Sequence, residues 1–211
     1  MDIMLTPRDW GLGIPLGWNP RSNGQHGTPL TGSVLYQDRI IPLDRLSYIL
    51  WSDAVRGQVD FEQCGTTSYL PPTLAIEKQK TDRTASPSHI DEAAHRLVNL
   101  GLVWHFDPSE PIGYHQLAQF EIAVQGVPVG NIDRPDRYRI HHNDGSPALD
   151  TDAVSYLLWL QWWTDPHILG AAKYVGHQLA APLHDVMGHA AATLMYGMRA
   201  GLLYISGVHN A

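Results

Sequence analysis

Histidine side chains near the C-terminus are the residues whose type and spacing could do chemistry most directly, because imidazole is a common metal ligand. His184 and His189 bound the stretch HDVMGH. On a helix, a separation of five residues places two side chains about 140° apart, so they do not share a face. A two-histidine zinc helix needs histidines four residues apart and a glutamate base, and this stretch has neither. His177 is nearly in phase with His184 but lies about 10 Å further along a helix. The sequence therefore predicts no metal site here.

The rest of the chain carries no motif with the spacing of a known catalytic or nucleotide-binding site. It has no P-loop, no G-x-S-x-G and no C-x-x-C. The glycines of GLGIPLG (11–17) follow no predicted strand and open no predicted helix, so they make a weak phosphate cradle. His141 and His142 precede a turn sequence and are predicted to end a strand. The single cysteine, Cys64, excludes an internal disulfide and is expected to be buried. We therefore expect neither an enzyme nor a cofactor.

Composition and charge narrow the class of protein. The chain has 211 residues, of which 44% are hydrophobic and 17% charged, and this balance supports a buried core. The net charge of −7 argues against a dedicated nucleic-acid binder, which normally carries a basic face. The apolar stretches at 153–163 and 186–205 contain polar residues and fall short of the roughly 18 apolar residues of a membrane span. With no signal peptide evident, we expect a protein that is made in the cytoplasm and contacts no membrane.

A nearly identical apolar pentapeptide occurs twice, as SYILW at 47–51 and SYLLW at 155–159. A second likeness follows each copy, because LGLVW at 100–104 matches AGLLY at 200–204 when the glycines are aligned. In that alignment His89 also faces His189. Two matches in the same order indicate an internal duplication. In both copies a helical stretch ends at a glycine, which suits a helix C-terminus, and a β-prone run follows.

The first copy is predicted to begin with a helix that Pro42-Leu43-Asp44 opens. A Thr/Pro-rich insertion around 59–87 separates it from a helix that starts at Ser86-Pro87. Phe120, Ile122 and Val124 recur at every second position and predict a strand, which returns beside the strand at 102–104.

The second copy is predicted to contain three helices and one strand. Asp150 or Thr151 caps the first helix, and Asp165-Pro166 ends it. A second helix spans about 167–179, and a third runs from Pro182 to about Arg199.

Three helices followed by a strand, a turn and a strand is the order of a winged helix-turn-helix. HRLVNLGLVW (95–104) and MYGMRAGLLYIS (195–206) resemble the junction between recognition helix and wing in MarR-like winged-helix proteins. The resemblance covers roughly 43–126 and 150–206. It implies an α+β fold with two winged-helix-like units in tandem, although the second unit leaves little room for a full wing.

Residues 1–42 are predicted to form an extended arm in front of winged-helix-like units at 43–147 and 148–211. Gly and Pro interrupt both helices and strands in this stretch. Trp10 and Trp18 nevertheless make it too apolar for a disordered tail. The arm either packs on its own units or lies across another subunit or protein. Arms that cross between subunits are common in virions and other large assemblies, so we hypothesise a bacteriophage tail or head–tail component.

These features favour a non-enzymatic structural or interaction protein of an assembly, with protein partners that include copies of itself. Interfaces are enriched in Trp, Tyr and Arg and depleted in Lys, as this chain is. Trp51 and Trp159, inside the repeated pentapeptides, are expected to be core residues. Trp162 and Trp163 are adjacent and cannot both face inward. The predicted partner contacts are Trp10, Trp18 and Trp163.

The alternative is a winged-helix DNA-binding regulator or a replication accessory protein. A third helix in the major groove uses Arg, Lys, Asn or Gln toward base edges. The third helix of the first copy offers Arg96 and Asn99 for this role, and Lys78, Lys80 and Arg83, just before that helix, would contact phosphates. The weak basicity of the chain makes nucleic acid the less favoured partner, and the stretch 78–83 is better explained as a solvated loop with ordinary surface charge.

Overall fold

A computed structural model describes residues 8–18, 31–61, 63–64, 66, 70–81, 85–107, 111–132 and 135–208. Arg83 lies outside these residues, and Trp18 and Lys80 are described only as backbone. The chain divides into two compact units. The described residues of the N-terminal unit are 8–106, and those of the C-terminal unit are 107–208.

The N-terminal unit runs from one strand through a three-stranded sheet and three helices to a closing strand. Its elements are β1 (Arg8–Gly11), β2 (Ile14–Trp18), β3 (Thr31–Tyr36), β4 (Arg39–Asp44), α1 (Arg45–Val55), α2 (Pro72–Thr81), α3 (Pro87–Asn99) and β5 (Val103–Phe106). The antiparallel sheet has the order β2-β3-β4, and β5 pairs antiparallel with β1. The closing strand therefore returns to the strand with which the unit begins.

The C-terminal unit places one short helix before the same series of elements. Its elements are α4 (Pro111–Leu117), β6 (Phe120–Val124), β7 (Val127–Asn131), β8 (Tyr138–His141), β9 (Pro147–Thr151), α5 (Ala153–Trp162), α6 (Ile168–Leu179), α7 (Leu183–Arg199) and β10 (Leu203–Val208). The sheet order is β7-β8-β9, and β10 pairs antiparallel with β6. Both units thus share one topology, which supports the duplication that the pentapeptides indicate.

The first helix of each unit begins with the same cap. The Asp44 side chain accepts a hydrogen bond from the Ser47 backbone N–H at 2.9 Å, and Asp152 accepts one from Ser155 at 2.8 Å. An aspartate at this position satisfies an N–H group that the helix itself leaves unpaired. The predicted caps Asp150 and Thr151 were wrong, because both residues belong to β9.

The third helix of each unit also ends in the same way. Gly101 and Gly201 adopt positive φ angles of 68° and 70°. The next residue then donates its N–H back into the helix, from Leu102 to the Leu97 carbonyl at 3.0 Å and from Leu202 to the Gly197 carbonyl at 2.8 Å. This is a Schellman motif, which satisfies carbonyl groups at a helix end.

A third likeness between the units lies in strands that the sequence did not predict. GIPLG at 13–17 and GVPVG at 126–130 enter β2 and β7, which are edge strands of their sheets. The pairing register shifts at the same place in both, between Pro15 and Gly17 and between Pro128 and Gly130. Proline is tolerated on an edge strand, and a bulge accommodates a glycine with positive φ.

The mixed α+β fold is confirmed, but several details differ from the sequence prediction. The described parts of 1–42 contain strands that pair within the N-terminal unit. This stretch is therefore part of the folded unit and not a separate extended arm. The predicted strand at 120–124 exists as β6, but its partner is β10 and not the strand of the first copy. The border between the units therefore lies at 106–107, whereas 147–148 was predicted. The insertion at 59–87 contains α2.

The indole rings of the repeated pentapeptides lie in the core of their units. Trp51 is 2% exposed and Trp159 is fully buried, which confirms the prediction for both. Cys64 is buried and free, as expected. Among the described residues, no helix has the length and the apolar character needed to cross a membrane.

Candidate protein-interaction surface

One side of α5 presents large apolar side chains to solvent. Tyr156, Leu160 and Trp163 follow each other at helical spacing, so they share one side of the helix. Leu160 is 39% exposed and Trp163 is 52% exposed, whereas the neighbouring Trp162 is 2% exposed. The prediction that only one of the two adjacent tryptophans faces inward is confirmed.

The sheet of the C-terminal unit extends this apolar side. Tyr138 of β8 stacks on Tyr156 with ring centroids 4.6 Å apart and planes 22° apart. Partial burial and the neighbouring Tyr138 raise the pKa of Tyr156, so its phenol is uncharged at neutral pH. We call Tyr138, Tyr156, Leu160 and Trp163 the α5 surface. Its members combine aromatic area with hydroxyl groups, a composition typical of interface centres.

The N-terminal unit buries two of the three equivalent helix positions, and the third is a small half-buried serine. Aligning the two N-cap aspartates places Tyr48 against Tyr156, Ser52 against Leu160 and Val55 against Trp163. Tyr48 is 8% exposed and Val55 is 6% exposed.

A glycine explains why Tyr48 can be buried. Gly32 and Tyr138 occupy equivalent places, since each pairs with the residue that precedes its unit's N-cap aspartate. A side chain at residue 32 would collide with the Tyr48 ring. Tyr138 occupies that place in the C-terminal unit and stacks on Tyr156 instead. An exposed α5 surface is therefore a property of one unit and not of the shared fold.

The other tryptophans predicted as partner contacts do not join this surface. Trp10 is 2% exposed and packs edge-on against Trp104 at a centroid distance of 5.5 Å. Its ring belongs to the core of the N-terminal unit, where a partner does not reach it. The side chain of Trp18 lies outside the described residues.

The residues predicted for nucleic-acid binding do not form a basic face in the described structure. Arg96 of α3 bonds the N-cap residue Asp44 at 2.7 Å. Glu92 lines the same groove as these two residues, so the groove carries charges of both signs. Lys78 is exposed on α2 and Asn99 is exposed on α3. Arg83 and the Lys80 side chain lie outside the described residues.

The histidines considered as metal ligands have separate neighbours. His184 packs edge-on near Tyr114, with ring centroids 5.7 Å apart. His189 Nδ1 lies 3.9 Å from Asp152 Oδ2. Across the part of the chain that the structure describes, no group of three or more His, Cys, Asp or Glu side chains is placed to hold a metal ion.

Comparison with protein-family models, curated proteins and solved structures gives no match for this chain. The winged-helix resemblance therefore stays a prediction from the sequence. The exposed aromatic and aliphatic side chains of the α5 surface are the feature that indicates a function.

Proposed function

We propose that this chain is a non-enzymatic interaction protein of a larger assembly, and that it binds a protein partner through the α5 surface. The exposure of Trp163 beside Leu160 carries the proposal. Tryptophan and tyrosine dominate the energetics of protein interfaces, because each buries a large area at a small cost in conformational entropy. In the N-terminal unit, Tyr48 and Val55 are buried at the places of Tyr156 and Trp163, so this fold can exist with those two positions closed.

The charge around the α5 surface favours a protein partner over a nucleic acid. Stacking of bases on aromatic rings is normally combined with a positive groove that follows the phosphates. Residues 135–211, which include every member of the α5 surface, contain four basic and six acidic residues, and Arg139 beside Tyr138 is paired with Asp150. Such a segment supplies little attraction for a polyanion.

The proposal includes copies of the chain itself among the partners. Assemblies with many identical subunits use self-complementary apolar patches for this purpose. A bacteriophage tail or head–tail structure stays our hypothesis for the setting, and it rests on the sequence composition alone.

Trp163→Ala tests the proposal, because a side chain that is half exposed contributes little to folding. Sedimentation analysis of the wild-type chain and the variant measures self-association. Photo-crosslinking from an unnatural amino acid at position 163, in lysate of the native source, identifies a partner of another kind. Ile40→Ala is the matched control, since Ile40 is a 66% exposed apolar residue of the N-terminal unit.

We expect Trp163→Ala to weaken association at least tenfold while Ile40→Ala leaves it unchanged, as for an interface centre. A chain that stays monomeric and gives no adduct from position 163 would contradict the proposal. A random DNA duplex that binds with steep salt dependence would instead support the regulator alternative.

A further inference from the structure

The C-terminal unit contains a polar cleft at its sheet and at the end of α7. The cleft has a volume of about 410 Å³, within the roughly 300–1,000 Å³ that is usual for ligand sites. The residues that line it are Gln125, His142, Asn143, Asp144, Gly201 and Leu202. None of them belongs to the α5 surface, so this site and the proposed function can fail separately.

At two of the equivalent places the N-terminal unit has buried residues of low polarity. The backbone N–H of Gln125 donates a hydrogen bond to the Leu202 carbonyl at 2.8 Å, and the backbone N–H of Leu12 donates one to the Leu102 carbonyl at 2.9 Å. Leu12 is therefore the counterpart of Gln125. It is 4% exposed, whereas Gln125 is exposed.

The strand register identifies a second substitution of the same kind. His142 follows His141, which pairs with Val127. In the N-terminal unit, Tyr36 follows the residue that pairs with Ile14, so Tyr36 is the counterpart of His142. Tyr36 is 5% exposed and His142 is half-buried. Two buried positions of one repeat have thus become polar cleft walls in the other.

The hairpin that borders the cleft has also become longer. β3 and β4 are joined by Gln37 and Asp38, both with positive φ, as a two-residue hairpin requires. Between β8 and β9 the loop is closed by a bond from the His142 N–H to the Ser146 carbonyl at 2.9 Å. The residues added by this loop include Asn143 and Asp144, both of which face the cleft.

Asp144 gives the cleft a fixed negative charge. Its Oδ1 accepts bonds from the Ser146 N–H at 2.9 Å and from the Ser146 hydroxyl at 2.7 Å. The Ser146 bonds, together with the nearby His142, hold the pKa of Asp144 below its usual value, so the carboxylate is charged at neutral pH. Both Ser146 bonds go to Oδ1, so they leave Oδ2 available to a ligand.

The C-terminal end of α7 makes the electrostatic potential of the cleft more negative. Gly201 and Leu202 directly follow this 17-residue helix, whose C-terminus carries a partial negative charge. Arg199 lies in the last turn of α7 but is not among the residues that line the cleft. The carboxylate and the helix end favour a cation, and the side-chain amides of Gln125 and Asn143, which line the cleft, can turn their oxygens toward its hydrogen-bond donors.

We propose that this cleft binds an arginine side chain of a protein partner. A guanidinium group presents a planar set of donors that matches a carboxylate and adjacent amide oxygens better than a lysine ammonium does. It also stacks on a flat ring such as that of His142. The cleft would thus add specificity for an arginine-bearing partner to the apolar contact of the α5 surface.

NMR titration of the isotope-labelled chain with two short peptides tests this assignment. One peptide carries a single arginine between alanines, and the other carries citrulline, which has the same shape without the charge. We expect the arginine peptide to shift the amide signals of Asn143, Asp144 and Gly201, and the citrulline peptide to leave them unchanged. Equal binding of both peptides, or binding of neither, would overturn the proposal.

Two variants separate the site from general effects on folding. Asp144→Asn keeps the acceptor for Ser146 and should weaken binding of the arginine peptide about tenfold, as expected for loss of a charge-assisted bond. Gln125→Leu with His142→Tyr restores the residues of the N-terminal unit and should abolish binding in a folded chain. Asp38→Asn in the other hairpin is the control and should bind like wild type. Unchanged affinity of Asp144→Asn for the arginine peptide would contradict the proposed arginine site.

Discussion

The indole nitrogen of Trp51 donates a hydrogen bond to the backbone carbonyl of Leu12 over 2.7 Å. This bond fastens α1 to the end of β1 inside the N-terminal unit. Trp159 makes a similar bond from α5 to the Gly126 carbonyl at 3.2 Å, one residue after Gln125, the counterpart of Leu12. The repeated tryptophan thus combines core packing with one buried polar link, and each unit depends on it in the same way.

Replacing either indole by phenylalanine should destabilise the chain by about 1–3 kcal/mol, because a buried carbonyl loses its donor. Urea denaturation followed by circular dichroism measures the free energy of unfolding for Trp51→Phe and Trp159→Phe. Trp163→Phe is the control on the exposed neighbour of the core and should change stability by less than about 0.5 kcal/mol. Equal stability of all three variants would show that the buried link contributes nothing.

The glycines at the ends of α3 and α7 should resist substitution for a conformational reason. Gly101→Ala is expected to cost about 1–2 kcal/mol, because an alanine at positive φ is strained even where space is free. A Cβ at Gly101 would meet nothing within 4 Å, so crowding does not contribute.

Gly188→Ala, inside α7, is the matched control for this cost. Its added Cβ would also meet nothing within 4 Å. Since alanine favours a helix interior, this variant should be more stable than wild type by about 0.5–1 kcal/mol. The same sign for both substitutions, measured by thermal denaturation, would argue against a strained helix end.

The N-cap aspartates should contribute to stability in both units. Asp152→Ala is expected to lose about 0.5–2 kcal/mol, since it leaves the Ser155 N–H without its acceptor. Asp152→Asn keeps an acceptor and should lose much less in the same denaturation measurement. If the alanine and asparagine variants are equally destabilised, the effect comes from the charge and not from the cap.

Cys64 should be chemically inert in the folded chain. Burial, followed by the charges of Asp60, Asp9 and Asp91, raises the pKa of its thiol from 9.0 to about 12. The thiolate is the reactive form, so labelling with a thiol reagent at pH 8 should be slow for the native chain and fast in denaturant. Fast labelling of the native chain would contradict the burial of this residue.

The same thiol links stability to alkaline pH. The folded chain holds the Cys64 thiol proton more tightly than the unfolded chain does, because the thiol pKa is higher in the folded state. The contribution of the protonated thiol to the free energy of unfolding is therefore fully present below pH 9 and is lost as pH rises toward about 12. A shallower decline of the unfolding free energy for Cys64→Ala over that range would confirm the assignment. An identical decline would attribute it to other groups.

Helices and their ends could be predicted from this sequence, because their signals are local. Apolar residues at helical spacing and a terminal glycine identified α7 to within a residue or so at each end. Edge strands gave the opposite outcome. Pro15 and Gly17 normally mark a break, and only the sheet shows that they sit at a bulge where both are tolerated.

The candidate sites likewise include one feature that the sequence predicts and one that only the structure reveals. Adjacent Trp162 and Trp163 had to face opposite ways on any helix, so one exposed indole could be predicted without a structure. The cleft could not be predicted from the sequence. Only the strand register and the backbone hydrogen bonds show that His142 and Gln125 replace the buried residues Tyr36 and Leu12 of the other unit. The sequence around 141–146 predicts a strand end and a turn, and it gives no sign of a ligand.

The series of elements that the two units share begins and ends, in each unit, with two strands that pair with each other. Arg8 pairs with Phe106 across β1 and β5, and Phe120 pairs with Val208 across β6 and β10. Because the two ends of such a segment lie side by side, a second copy can follow it in the chain without disrupting the strand pairing of the first. A single gene duplication would therefore have left two closed modules at once, one free to keep its fold while the other acquired new surface chemistry.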